Sequence, residues 1–257
     1  MIYQIQQYFQ FLWRSSNQHG VHSPFVYNLV TQCFYDKKRY PEYKQIKKYK
    51  SELLKNNITL NITDLGSGSK YTKQNLRQIK SIAKNSGASI KQAKLLFRLT
   101  AYFKFQQSLE LGTSLGISTL AVALGNKKGT VTSIEGCPEV SKFTKETLNT
   151  NNIQNTSIIC GDFKTVIPEL PKSTYDFVFF DGNHNKDATL SYFNLLLPQI
   201  HNDTVFIFDD IYWSKDMTDA WETIKNHPMV RVTIDTFHYG FVFFRKEQEK
   251  EHFTIRL

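Results

Sequence analysis

The sequence predicts an α/β fold: a doubly wound, seven-stranded sheet of five parallel strands and a C-terminal antiparallel hairpin, preceded by an N-terminal helical cap. Three observations predict it. From residue 106 onward, short apolar runs alternate with segments of helical period, the pattern of right-handed βαβ units. The runs show little polar alternation, as expected of strands covered on both faces. The last two runs, 230–236 and 240–246, are separated by only three residues, a link that permits an antiparallel hairpin and forbids a parallel crossover.

The elements follow in order. Ile2, Ile5, Phe9, Leu12 and Trp13 recur at spacings of three and four, which predicts a short helix over 2–13. His19 and His22 lie three apart in HGVHSPF, a spacing read as a structural turn. Ser23 before Pro24 predicts the start of a helix running to Phe34, because serine caps and proline fits the first turn. Residues 37–57, rich in Lys and Tyr, read as a polar helix or loop. Helices are expected over 73–84 and 89–104. Strands are expected at 106–112, 130–136, 156–163, 175–182 and 204–210. Helical segments at 116–124, 138–150, 164–170, 186–197 and 215–226 lie between or after them.

Charge divides the chain. The net charge is +9, with +14 in residues 1–105 and −5 in residues 106–257. The expected domains follow that boundary: a basic helical cap, 1–105, and a sheet domain, 106–257. A basic front half attracts anionic substrates, nucleic acid or membrane surfaces, or is simply a solvated face. No run reaches the roughly 18 apolar residues of a membrane span. The first residues lack the pattern of a signal peptide. Three widely spaced cysteines, Cys33, Cys137 and Cys160, suit a reducing compartment, so the expected location is cytoplasmic.

In open α/β sheets, ligands bind at the carboxyl ends of the strands. The first strand ends in LELGTSLGIST, where Gly112 and Gly116 let the backbone turn sharply before a helix with free N–H groups. The second ends in Glu135, 25 residues after Glu110, where an acid can accept ribose hydroxyls. The third ends in Gly161-Asp162-Phe163, an acid and an aromatic suited to an adenine. ITDLGSGS (62–69) imitates the glycine loop, but no acid-ended strand follows it at the ribose distance; it reads as a decoy, or as a lid loop.

The ELGTSLG loop, the acid of SIEG, the GDF turn, the FFDGNH strand end and the final hairpin resemble a class I S-adenosylmethionine (SAM) dependent methyltransferase across residues 106–246. The resemblance implies that Glu110 and the backbone of Gly112 hold the methionine part of SAM, with Thr113 and Gly116 of the same loop also counted as cofactor-binding. It implies Glu135 on the ribose, and Asp162 with Phe163 on the adenine. If Asp181 holds no metal, it is expected to face the cofactor's sulfonium.

Asp181-Gly182-Asn183-His184 ends the fourth strand and Asp209-Asp210 the fifth, so three carboxylates are expected on one rim. Like charges together call for a cation or a proton, and oxygen ligands suit Mg²⁺ or another divalent cation on Asp181, Asp209 and Asp210. The layout resembles the catechol and caffeoyl-CoA type of O-methyltransferase, where the second pair is usually Asp-Asn. His184, or else Lys186, is the candidate general base, and an imidazole can deprotonate a hydroxyl near neutral pH. Tyr212 and Trp213 are candidates for stacking on a flat substrate or for packing.

No P-loop, G-x-S-x-G elbow or amino-methyltransferase tetrad is present. The expected function is methyl transfer from SAM to an oxygen of a small-molecule acceptor. One alternative is an RNA methyltransferase gripping RNA through the basic cap. The other is a non-catalytic nucleoside-binding or interaction module. A homo-oligomer is compatible with each.

Overall fold

Ten strands and ten α-helices form in the computed structural model, among the residues it describes, 2–63 and 75–257. In chain order they are α1 (Ile2–Arg14), α2 (Pro24–Leu29), α3 (Glu42–Lys55), β1 (Thr59–Asn61), β2 (Leu76–Gln78), α4 (Ile79–Asn85), α5 (Ile90–Phe103), β3 (Gln107–Leu111), α6 (Ile117–Gly125) and β4 (Thr130–Glu135). They continue with α7 (Pro138–Thr150), β5 (Thr156–Cys160), α8 (Phe163–Glu169), β6 (Tyr175–Phe180), α9 (Lys186–Leu196), β7 (Ile200–Asp209), α10 (Lys215–Asn226), β8 (Val232–Asp235), β9 (Tyr239–Phe243) and β10 (Glu251–Thr254). No helix among the described residues is long and apolar enough to cross a membrane.

The chain divides into two compact units, Asp36–Leu170 and Met1–Tyr35 with Pro171–Leu257. Of the basic region expected as a cap, residues up to 35 belong to one unit and residues 36–105 to the other.

In the unit Asp36–Leu170, β3 runs parallel to β4 and β4 parallel to β5. The register puts Glu110 opposite Ser133 and Glu135 opposite Cys160. Helix α5 starts on a capping box, in which Ser89 accepts from Gln92 N–H and the Gln92 side chain accepts from Ser89 N–H. It packs closely on α6, where Gly125 lies against Thr100; a Cβ at 125 would stand 2.6 Å from the threonine Cβ. Helix α6 is buried from Ile117 to Leu124, with Ser118 and Thr119 as its polar residues among apolar ones. The polar stretch 37–57 is mostly helix, because Ile46, Tyr49 and Leu53 of α3 share a buried face.

In the other unit, β6 runs parallel to β7, β7 antiparallel to β9, and β9 antiparallel to β8. The expected hairpin is β8–β9. Phe177, Phe179, Phe206, Phe208, Phe241 and Phe243 are fully buried along these strands, and the apolar surface they remove from water holds the sheet in its layers. Gly240 faces the Trp221 ring, which a Cβ there would meet at 2.7 Å. Ser23 caps α2 as expected, accepting from Val26 N–H. Phe11 of α1 packs on Phe237 with ring centroids 5.6 Å apart.

Three expectations need correction. The sheet strands number three in one unit and five in the other, not seven in all, because β10 pairs parallel with β8. Its sequence, Glu-His-Phe-Thr, is too short and polar to announce a strand; backbone pairing at a sheet edge makes it one. The stretch 73–84 is not one helix: β2 occupies 76–78, antiparallel to β1, and α4 begins only at Ile79. The β8–β9 hairpin does not end the sheet, since β10 follows it and lies parallel to β8. Of the expected decoy loop, Asp64–Ser69 lies outside the described residues.

Candidate functional site

The first cluster belongs to the unit Asp36–Leu170. Glu110 is 1% exposed, near the carboxyl end of β3. Its Oε2 accepts from Thr119 Oγ1 at 2.5 Å and from Ser133 Oγ at 2.6 Å. Ser133 can reach it because the β3–β4 register sets the two residues opposite one another. The Thr113 and Ser133 hydroxyls lie 2.6 Å apart, so Thr113 extends the buried chain. Glu110 Oε1 is buried and makes no hydrogen bond. Burial pushes the Glu110 carboxyl up from its ordinary value, and the surrounding hydroxyls pull it back.

The glycine loop folds around this acid. Gly112 (φ 103°), Ser114 (φ 47°) and Gly116 (φ 71°) all have left-handed backbone. Gly112 and Thr113 donate their N–H groups to Ile134 O, at 3.0 and 3.3 Å. Ser114 N–H donates to Glu135 Oε2 at 2.8 Å, and Cys137 N–H to Oε1 at 2.9 Å. The half-buried Glu135 is thereby fixed at the end of β4 by two backbone N–H groups. Gly116 also answers to packing: a Cβ there would lie 2.6 Å from Thr144 Cγ2 and 3.2 Å from Tyr49 Oη. Tyr49, which the sequence reading overlooked, donates to Leu115 O at 2.9 Å and braces the loop from α3. Burial pushes its phenol well up.

Asp162 is the N-cap of α8, its Oδ1 accepting from Lys164 N–H at 2.8 Å, and half-buried Phe163 opens that helix. Both stand at the end of β5, as expected.

The second cluster belongs to the other unit. Ligand atoms of Asp181, His184 and Asp209 all lie within 4.8 Å of one another, and all three residues are half-buried. The turn after β6 makes this possible. Asn183 is left-handed (φ 53°) and its side chain donates to Tyr192 Oη at 3.1 Å, while Asn185 caps α9. Asp209 Oδ1 is buried without a hydrogen bond. Burial raises the Asp209 carboxyl well above the ordinary value, and the Asp210 charge adds to it. A hydrogen bond with Asp181 opposes the rise.

Asp210 contributes charge but stands outside this triad: its backbone is left-handed (φ 52°) and its N–H donates to His238 O at 2.8 Å. Lys186 opens α9, with its N–H on Asp216 Oδ2 at 2.9 Å. Tyr212 is buried in packing, stacked on Phe237 and donating to Asp235 Oδ2, so it offers no platform. Trp213 lies beside His184, ring centroids 6.0 Å apart.

Residues 109–211 match the sequence pattern of a family described as a methyltransferase domain. No curated protein matches the chain. Among solved structures, a SAH-bound methyltransferase of Podospora anserina is similar with TM-score 0.63 at 13% identity, over 88% of this chain and 97% of that one. An O-methyltransferase of Bacillus cereus in complex with SAH has TM-score 0.54 at 17% identity, over 82% and 93%. The O-methyltransferase TomG of Streptomyces achromogenes, involved in tomaymycin synthesis and in complex with SAM, has TM-score 0.57 at 16% identity, over 84% and 95%. At these identities the likeness is one of fold: the chain is built on the fold of class I SAM-dependent methyltransferases.

Proposed function

We propose that the protein transfers a methyl group from SAM to a hydroxyl of a small-molecule acceptor. The observation that carries the reading is the triad Asp181, His184 and Asp209, two carboxylates around an imidazole within 4.8 Å.

The residues of the glycine loop fit the cofactor. The buried, unbonded Oε1 of Glu110 suits the cationic methionine end, and the pinned carboxylate of Glu135 suits a pair of ribose hydroxyls. Asp162 and Phe163 take the adenine edge and face. Bound SAM would supply an activated methyl group. His184 takes the proton from the acceptor hydroxyl. Asp181 and Asp209 orient the ring and stabilise the imidazolium, because a cation between two acids lowers the cost of their mutual repulsion. Trp213, beside the imidazole, keeps water from the base. Residues 1–105 select the acceptor in this reading.

One observation favours a second arrangement. The unbonded Oδ1 of Asp209, grouped with Asp181 and His184 and close to the charge of Asp210, also fits a divalent cation. Such an ion would polarise the acceptor oxygen, and Lys186 would become the candidate base.

The test is SAH release across a panel of phenols and catechols, with and without excess chelator. Turnover that survives chelation supports the His184 base. Turnover lost on chelation and restored by Mg²⁺ or Mn²⁺ supports the second arrangement. No turnover with any acceptor, despite cofactor binding, favours a binding module.

A further inference from the structure

The stretches 36–63 and 75–105 hold 15 Lys or Arg against three Asp or Glu. Much of that charge lies on two helices. Lys44, Lys47, Lys48 and Lys55 are exposed along α3, and Lys91, Lys94 and Arg98 recur at steps of three and four along α5. Such steps keep side chains on one side of a helix. The two rows are joined by aromatic rings. Tyr43 of α3 packs on Phe97 of α5 with centroids 5.4 Å apart, and Tyr40 meets the same ring at 5.1 Å. Lys94 Nζ sits 4.7 Å from the Tyr43 ring centroid, and Arg98 donates to Tyr43 Oη at 3.2 Å.

The three acids of the region are spoken for. Glu52 pairs with Lys48 at 3.8 Å, Glu42 with Lys127 at 3.4 Å, and Asp36 accepts from Tyr40 Oη at 2.6 Å. Burial lowers the Lys94 ammonium from its ordinary value, and the like charges of Lys47 and Arg98 lower it further. Folding therefore gathers cations that repel one another, a cost that an external polyanion would remove.

We propose that the α3–α5 face binds the phosphate backbone of single-stranded RNA. A double row of cations follows a charged strand better than it follows a compact anion, and the half-buried Tyr40 and Tyr43 among the cations, unlike the buried Phe97, suit a chain carrying bases. A lipid surface fits less well. A membrane-bound helix needs an apolar face set among its lysines, whereas α5 exposes no large apolar side chain and α3 exposes only Leu54. The inference stands independently of methyl transfer.

Fluorescence anisotropy of a labelled single-stranded RNA of ~20 nucleotides with the full chain, over a salt series, tests it. The variant K44E/K47E/K91E is compared with K128E/K142E/K145E, which reverses three exposed lysines elsewhere in the same unit. The expected result is salt-dependent binding, weakened about tenfold or more in the first variant and less than about twofold in the second. The salt slope should become shallower by about 2 in the first only, near 0.7 per lost phosphate contact. If circular dichroism shows the first variant unfolded, K44Q/K47Q/K91Q is judged by the same criteria. Equal weakening in both variants would overturn the proposal. So would no RNA binding at about 50 mM salt, or binding to phosphatidylserine vesicles without binding to RNA.

Discussion

Tyr212 Oη donates to Asp235 Oδ2 at 2.5 Å, inside the protein, directly after the strand end that carries Asp209. Phe237 N–H satisfies the other oxygen at 2.8 Å, and Arg14 of α1 reaches the same tyrosine oxygen at 3.5 Å. Burial raises the Asp235 carboxyl; the bonds from Tyr212 and Phe237 pull it back without cancelling the rise. The folded state therefore holds a proton more firmly than the unfolded chain. This group's contribution to stability is full below the ordinary carboxylate range and is lost as pH rises through the raised value.

That predicts a stability curve with an Asp235 component falling as pH rises above about 4, absent in Asp235→Asn. Tyr212→Phe removes a bond to the ionised form, so the fall should deepen and extend to higher pH. At neutral pH, Tyr212→Phe should cost about 1–3 kcal/mol for the carboxylate oxygen left unpaired. Denaturant unfolding at several pH values checks it; an unaltered pH dependence in both variants would contradict it.

Gly116 offers a test of the loop by itself. Its φ of 71° and the 2.6 Å approach of Thr144 Cγ2 to a Cβ both resist a side chain. Gly116→Ala should destabilise by about 1–3 kcal/mol, from backbone strain and overpacking. Adding Thr144→Ser removes the offending methyl group and should recover part of the loss, leaving the strain. Equal stability of Gly116→Ala and the parent would show that the loop readily changes shape.

His184 is the proposed base. Once an acceptor is found, His184→Gln should lower kcat by about 10²–10⁴ while SAH affinity stays unchanged. Excess chelator should leave the parent rate intact. A rate lost on chelation would move His184 to a ligand role.

The strands with acids at their ends were legible because apolar runs stopped at Glu110, Glu135, Asp181 and Asp209. The chemistry of the ends was less so. Ser133 and Thr119 reach Glu110 only through the β3–β4 register and the first turn of α6, which no local pattern states. Tyr49 is 66 residues from the carbonyl it holds. The replacement of Asp210 by His184 in the triad depends on left-handed turns at Asn183 and Asp210. Asn and Asp tolerate that conformation, but many such residues in loops do not adopt it. Strand β10 was missed because pairing with β8, not propensity, makes it extended.

The central claim is that the 110–116 loop and Glu135 form a SAM site, and calorimetric titration of SAH tests it most directly. The account predicts one-to-one binding to the parent chain. It predicts a loss of about 1–3 kcal/mol in Glu135→Ala, the scale of hydrogen bonds to a charged group. No SAH binding by the folded parent chain, or undiminished affinity in Glu135→Ala, would contradict it.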